Sequence, residues 1–498
     1  MDVHRQNLSD SIFAVAETRP DAPALIENNV TLGYGALARL IAGATVYLRD
    51  LGIREGDRVG VALTNSIEHL ILMLALARMG AVLVELAAES DARALGGVVA
   101  KYKLRAIFTE PNVELPTAVA YPMRLTWRDE IAGKSGDQRS TTDPDKLEII
   151  LLTSGSTGEP SGWVLSHSDV LGRCAHYNTG RYPAVADREK PRNLLVILPL
   201  RYVWMITSIL AQFTVGGPVV LLPEYAKGPD MLRAAASWDD AILAITPNTC
   251  RFFLSAAPPA GFLLPRLRLE TAGQLLHAEE KRAIATRVTP DFCDCYGTTA
   301  GGFLTQLDPV DMVLRPDTVG RAVPGIEIEI VGPGGETLTP GMSGAIRCRP
   351  LFTRGPCAED EGRGSERIEG GWCYTGDVGF LDADGYLHLR GRAGEIMRRG
   401  GAEVFAAEIE GVLMAHPQVT EAAVVGRPVA GIGEEIIAFV VRRGGLDHDE
   451  LARHCRARLG AEKMPSRVFY ADGLPRLPGG KVDRLRLQAL ALEKSTAS

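Results

Sequence analysis

Between Ile150 and Gly162 an apolar run, Ile150-Leu-Leu, gives way to Thr153, Ser154, Gly155, Ser156, Thr157 and Gly158, and then to Glu-Pro160-Ser161-Gly162. Hydroxyl groups and glycine backbone N–H groups at this density can converge on one anion, and such a nest suits a polyphosphate. It is not a Walker A loop, because no Gly-Lys-Ser/Thr follows at the required offset. Taken alone, the segment reads equally well as a Ser/Gly surface turn. Four further segments follow in order: Tyr296-Gly297-Thr298-Thr299, Tyr374-Thr375-Gly376-Asp377, Gly391-Arg392, and Pro478-Gly479-Gly480-Lys481-Val482-Asp483-Arg484. An ionised Asp377 accepts only, and can receive two donors at once. Arg392 and Lys481 supply cations, and the Pro-Gly-Gly turn presents Lys481. The plainer alternatives are a turn-forming Asp377 before Val378 and a solvated loop lysine at 481.

The elements that must position these segments are written in the apolar pattern. Short β-branched runs, Val59 to Leu63, Leu194 to Leu198, Val219 to Leu222 and Ala241 to Ile245, alternate with helix-like stretches. That alternation predicts layered α/β structure around buried, mostly parallel sheet. From Gly325 the pattern becomes GIEIEIVGPGGETL and then SGAIRCR, which predicts an antiparallel hairpin region. The polar stretch Cys357 to Gly371 lacks periodicity and is expected to be an exposed, mobile loop. The last hundred residues read as a small α+β unit: a helix from Ala407 to Met414, strands at Ala423–Gly426 and Ile436–Arg442, and a helix from Asp449 to Leu459. A cut near Arg390 divides the chain into 1–390 and 391–498.

The chain has 498 residues, which at roughly 150 per domain predicts several core-forming units. Lys and Arg number 54 against 61 Asp and Glu, a net charge of −7 that offers no basic field for nucleic acid or an anionic membrane. The eight cysteines include no C-x-x-C pair and lack histidines at metal-ligand spacing, so they predict buried free thiols in a reducing compartment. Cys293-Asp-Cys295 is the nearest approach to a metal pair. The N-terminus shows neither a signal nor a transit pattern, and a cytoplasmic location is expected. The run from Leu70 to Ala88 is broken by Arg78, Gly80 and Glu85, and predicts a buried helix ending at Met79-Gly80 followed by a strand from Ala81 to Leu86 rather than a membrane span.

In content and order the five segments resemble the adenylate-forming, AMP-binding superfamily of acyl- and aryl-CoA synthetases, carrier-protein-loading adenylation domains and firefly luciferase. The resemblance runs from TLGYGAL near residue 31 to Lys481. It implies a large N-terminal domain of layered α/β subdomains plus a β-rich subdomain, with a small mobile α+β C-terminal domain. It further implies that a carboxylate attacks the ATP α-phosphorus to give acyl-AMP and pyrophosphate, and that the acyl group then passes to a thiol, with Mg²⁺ as cofactor and CoA as co-substrate. On this resemblance the Thr153 to Gly158 loop holds the β- and γ-phosphates, Tyr296 stacks on adenine, and Gly297, Thr298 and Thr299 complete the nucleotide motif. Gly273 and Gln274 line the ring edge, and Asp377 accepts from both ribose hydroxyls. Arg392 lies beside ribose and phosphate, and Lys481 bridges the carboxylate and the α-phosphate. Gly400 and Gly401 correspond to the loop that serves thioester formation, with a plain β-turn as the competing reading.

The chain departs from the family pattern at four places. Ser161 stands where a lysine is usual, Ala300 where a glutamate helps to hold Mg²⁺, and Gly394 where the hinge is usually Asp or Lys. Tyr202 stands where many acyl-CoA synthetases place a histidine gating the acyl pocket. Magnesium takes few protein ligands, so one lost carboxylate need not abolish binding, although ATP affinity should fall. The wall implied by Tyr202, Val203 and Trp204, with Met205 and Ile206 beyond, is aromatic and apolar, and an Asp near Val203 for an amine is absent. An aryl or apolar acyl acid is therefore expected. The alternatives are an acid–AMP ligase loading a phosphopantetheinyl carrier protein in trans and a degenerate nucleotide-binding relative. His167 is expected to start a helix and not to act in catalysis, and Asp447-His448-Asp449-Glu450 to be a solvated helix start.

Overall fold

The computed structural model describes residues 7–113, 120–123, 126–134, 136, 140, 143, 145–153, 161–181, 191–223, 228–349, 352–360, 366–429, 431, 433–476 and 482–496. The β-branched runs become strands Arg58–Ala62, Asn193–Val196, Val219–Leu221 and Ala241–Ile245, each buried or nearly so, as parallel strands covered on both faces require.

Four sheets form among the described residues. In the first, Asp291–Thr298, Arg268–Thr271, Ala241–Ile245, Asn193–Val196, Val219–Leu221 and Pro23–Glu27 lie side by side in parallel, and Gly302–Leu307 closes one edge antiparallel. The second is built around parallel Leu147–Thr153, Val82–Glu85, Arg58–Ala62 and Ala106–Thr109, with Ser161–Ser166 running back along Leu147–Thr153. The third is antiparallel and contains the predicted hairpin region: Glu327–Val331 pairs with Gly344–Arg349, which pairs with Trp372–Leu381, which pairs with Leu387–Arg392. The fourth belongs to the C-terminal unit, where Val419–Val429 and Gly433–Arg442 form a long antiparallel ribbon and Arg467–Ala471 adds in parallel.

The helix Ile67–Met79 joins the two parallel sheets into one core. All its residues but Glu68 are buried, so it has no polar face to turn to water. Ser66 caps it by accepting from the His69 N–H at 3.1 Å, and Gly80 ends it at φ +74°, ahead of the strand Val82–Glu85. Residues from both sheets, among them Leu83, Ile149, Leu194 and Val196, share its apolar cluster. The C-terminal unit has a core of its own around Ile409, Val424, Ile436 and Leu451. No helix among the described residues is long and apolar enough to cross a membrane.

One expectation is overturned. The stretch from Cys357 is not simply an exposed loop: Cys357 is buried, and Asp360 is wholly so. Asp360 accepts from Tyr102 Oη at 2.6 Å, Lys101 Nζ at 2.6 Å and the Gly162 N–H at 2.8 Å, which ties the segment to the strand Ser161–Ser166. The same stretch also holds the strand Arg367–Glu369, paired antiparallel with Trp372–Leu381, and a carboxylate that finds three donors is buried despite the polar sequence around it.

Candidate active site

In the first sheet the parallel strands end together, and the loops after them gather at their carboxyl ends, where open α/β sheets bind ligands. Leu198 to Trp204 follow one strand, Gly273 and Gln274 follow Arg268–Thr271, and Tyr296 to Thr298 finish Asp291–Thr298. The backbone narrows at Gly297, where a bulge interrupts the pairing with Gly302–Leu307; a Cβ at Gly297 would stand 2.3 Å from the Gly302 carbonyl oxygen. Gly273, at φ +92°, faces open space.

The third sheet meets this end of the first at Asp377. Asp377 and Arg392 are directly opposed in register on neighbouring strands, and Arg392 Nε lies 2.9 Å from Asp377 Oδ1. Tyr296 Oη donates to Asp377 Oδ2 at 2.7 Å, and the Asp377 N–H donates to Thr375 Oγ1 at 3.1 Å. Asp377 is buried, whereas the Arg392 side chain is 39% exposed. Burial works against the Arg392 cation, but the Asp377 and Glu366 carboxylates outweigh it and hold its pKa above the ordinary value. Burial, and then the Asp377 charge, push the Tyr296 phenol far up, so it acts as a donor.

Two residues that no motif flagged complete the geometry. Arg173, on the helix His167–Arg181, is buried and donates to the carbonyls of Phe352 at 2.8 Å, Thr299 at 2.9 Å and Ala300 at 2.9 Å. Burial lowers its pKa to about 10, partly countered by Asp169 and Glu366, so it stays charged at neutral pH. Its guanidinium fixes the turn after Thr298 from beneath. Glu366 reaches the same turn from the third sheet's side and accepts from the Ala300 N–H at 2.7 Å. Burial raises its pKa, against the opposing effects of that N–H and of Arg392. The sequence signal for Arg173 is weak, a lone Arg on the buried face of a helix; Glu366 stands in a polar run without pattern.

The residues expected on the acid side sit where one helix begins. Tyr202, Val203 and Trp204 are half-buried at the start of Val203–Thr214. Beneath these side chains the surroundings are polar. Trp204 Nε1 donates to Tyr177 Oη at 3.0 Å, and Tyr177 Oη donates to Glu270 Oε2 at 2.7 Å. Glu270 is buried and paired with Arg268 at 3.0 Å. The ring of Phe303 stands edge-on to Tyr177 with centroids 5.2 Å apart.

Other expectations fall in three groups. Ser154, Gly155, Ser156, Thr157, Gly158 and Lys481 lie outside the described residues, and of Thr153 only the backbone, at the end of Leu147–Thr153, is described. Gly400 and Gly401, at φ +59° and +85°, form a two-residue turn between Ile396–Arg399 and Ala402–Phe405, with open space where each Cβ would be. His167 does begin a helix, buried, with Nδ1 accepting from the Leu8 N–H, and Asp447 is the cap residue of the helix His448–Arg456. All eight cysteines are free and buried, and no three His, Cys, Asp or Glu among the described residues group as a metal site.

The chain matches the family model for the AMP-binding enzyme over residues 12–355 and that for the AMP-binding enzyme C-terminal domain over residues 408–481. A probable CoA ligase of Humulus lupulus is 28% identical over 504 residues, covering 95% of this chain and 94% of that protein. The oxalate–CoA ligase of Arabidopsis thaliana is 28% identical over 524 residues, covering 98% and 99%. The ATP-bound crystal structure of MatB from Rhodopseudomonas palustris superposes with a TM-score of 0.84 at 25% identity, covering 97% of this chain and 99% of that one. With both family models matched in order along a chain in which Tyr296, Asp377 and Arg392 are joined across two sheets, this chain belongs to the AMP-binding enzyme family.

Proposed function

We propose that this chain is an ATP-dependent, AMP-forming acid–thiol ligase that activates an aryl or apolar carboxylic acid and passes the acyl group to CoA. The observation that carries the reading is the Tyr296–Asp377–Arg392 cluster at the carboxyl ends of the parallel strands, which presents an anchored carboxylate to a ribose beside a cation. In the first step a carboxylate oxygen bonds to the α-phosphorus, the bond from that phosphorus to the β-bridging oxygen breaks, and pyrophosphate leaves. In the second the thiol sulfur bonds to the acyl carbon, its proton passes to solvent, and AMP leaves with the acid's oxygen.

Within this reading Asp377 holds the ribose, and Thr298 and Thr299, on the turn that Arg173 pins, face the α-phosphate. Lys481 supplies a cation to the developing charge, a role worth about 2.7–4 kcal/mol by analogy with oxyanion donors. Mg²⁺ would offset phosphate charge when bound, an ion that takes few protein ligands and keeps several waters. The turn at Gly400 and Gly401 serves the thiol step, where bare backbone lets the pantetheine arm pass. Tyr202, Val203 and Trp204 wall the acid pocket, and the eight free thiols support a cytoplasmic setting.

Carboxylate-dependent ATP–pyrophosphate exchange over benzoates, cinnamates, phenylacetates, fatty acids and amino acids tests the first step. Exchange with an aryl or apolar class is expected. Silence across the panel with nucleotide still bound would favour a non-turnover binder, and acyl transfer to a carrier protein but not to CoA would reassign the acceptor.

A further inference from the structure

Ala300 leaves the turn after Tyr296–Thr299 without a side-chain carboxylate, yet a carboxylate is there. Glu366 Oε2 accepts the Ala300 N–H at 2.7 Å, and the Thr298 side chain bonds to the same carboxylate. Glu366 comes from a different sheet, just ahead of the strand Arg367–Glu369, and it lies within electrostatic reach of both Arg392 and Asp377. The turn is held from its other side by Arg173, whose bonds to the Thr299 and Ala300 carbonyls aim the Ala300 N–H at Glu366. A side chain sixty-six positions away is thus locked onto the residue that lacks a carboxylate of its own.

A carboxylate has about four lone-pair positions, and two bonds leave capacity for a cation or its waters. Its neighbourhood already contains Asp377, and bringing the phosphates of ATP beside it adds more charge of the same sign. With no cation between, Glu366 repels ATP; with one, it draws metal and nucleotide in together. Resting on the adenylation reading above, we propose that Glu366 is the metal-facing carboxylate of this site, supplied from the third sheet in place of a side chain at position 300. It is a binding residue for magnesium–nucleotide, and it makes nucleotide affinity depend on the metal.

The test uses the full chain and α,β-methylene-ATP, which cannot release pyrophosphate, with affinity measured by calorimetry across Mg²⁺ concentrations and in EDTA, and Mn²⁺ binding followed by electron paramagnetic resonance. Glu366→Gln keeps size and the Ala300 bond. It should raise the Mg²⁺ needed for half-maximal nucleotide binding by about 10-fold or more while leaving or improving affinity in EDTA. Ala300→Glu added to Glu366→Gln should restore the metal dependence. Three results would overturn the proposal: an unchanged metal requirement in Glu366→Gln, equal weakening with and without metal, which marks a purely structural clamp, or a folded double variant that stays uncoupled. If the double variant fails to fold, the single variant decides. A wild-type chain that binds magnesium–nucleotide but exchanges with no acid defeats the adenylation reading alone. Metal-independent binding by wild type defeats this inference alone.

Discussion

Replacing Asp377 by Asn separates the ribose assignment from any structural role of this carboxylate. The variant keeps one oxygen in place, so either Tyr296 or Arg392 retains its acceptor, and because the Arg392 side chain is 39% exposed the lost ion pair should cost under about 1 kcal/mol of stability. A hydrogen bond to a charged group contributes about 1.5–3 kcal/mol. At about 1.4 kcal/mol per tenfold, ATP binding should weaken by roughly 10- to 150-fold. The assay is calorimetric binding of ATP and of 2′,3′-dideoxy-ATP to wild type and variant, with thermal melts alongside. In wild type the dideoxy nucleotide should bind at least about tenfold more weakly; in Asp377→Asn that gap should largely close, since both changes remove the same bonds. A gap of the same size in both proteins would refute the assignment, whatever the variant's overall affinity.

Arg173→Met should cost about 2–5 kcal/mol in urea denaturation, because three carbonyls lose a buried cationic donor, and ATP affinity should fall with it. Lys481→Ala should slow pyrophosphate exchange by about 100- to 1,000-fold without shifting the melt, yet leave thiolysis of added acyl-AMP. Gly401→Val, at φ +85°, forces a side chain into left-handed backbone at a cost of about 1–2 kcal/mol; it should slow thiolysis while exchange persists, and equal slowing of both would return these glycines to a plain turn. Burial lowers the pKa of His277 below its ordinary value, so between that lowered pKa and 6.5 the unfolded chain binds a proton that the folded chain does not. Stability should therefore fall as pH drops below 6.5, and His277→Gln should flatten the slope by up to about 1.4 kcal/mol per pH unit.

Much of the fold was legible because it rests on local pattern. Ala241–Ile245 matches its apolar run end to end, the Glu327–Val331 hairpin follows its alternation, and Gly80 marks the helix end where a left-handed residue was needed. The strands of the C-terminal unit were placed correctly but too short: Val419–Val429 extends well beyond Ala423–Gly426, because its flanking polar residues are held by pairing with Gly433–Arg442 and not by burial. At the site, Tyr296, Asp377 and Arg392 were readable as members of motifs, but their mutual bonding was not, since it depends on how two sheets meet. Arg173 and Glu366 escaped for the same reason. Each acts by reaching a backbone group far away in sequence, and no spacing rule encodes that contact. The buried Asp360 defeated the loop reading in the same way, through partners at 101, 102 and 162.

The central claim is that the acid's own oxygen attacks the α-phosphorus. An acid that supports exchange, labelled with ¹⁸O in its carboxylate, should be turned over with ATP and CoA, and the products resolved by mass spectrometry. The account predicts AMP carrying one ¹⁸O, unlabelled pyrophosphate and the acyl thioester. Label appearing in inorganic phosphate, with ADP as the nucleotide product, would contradict it.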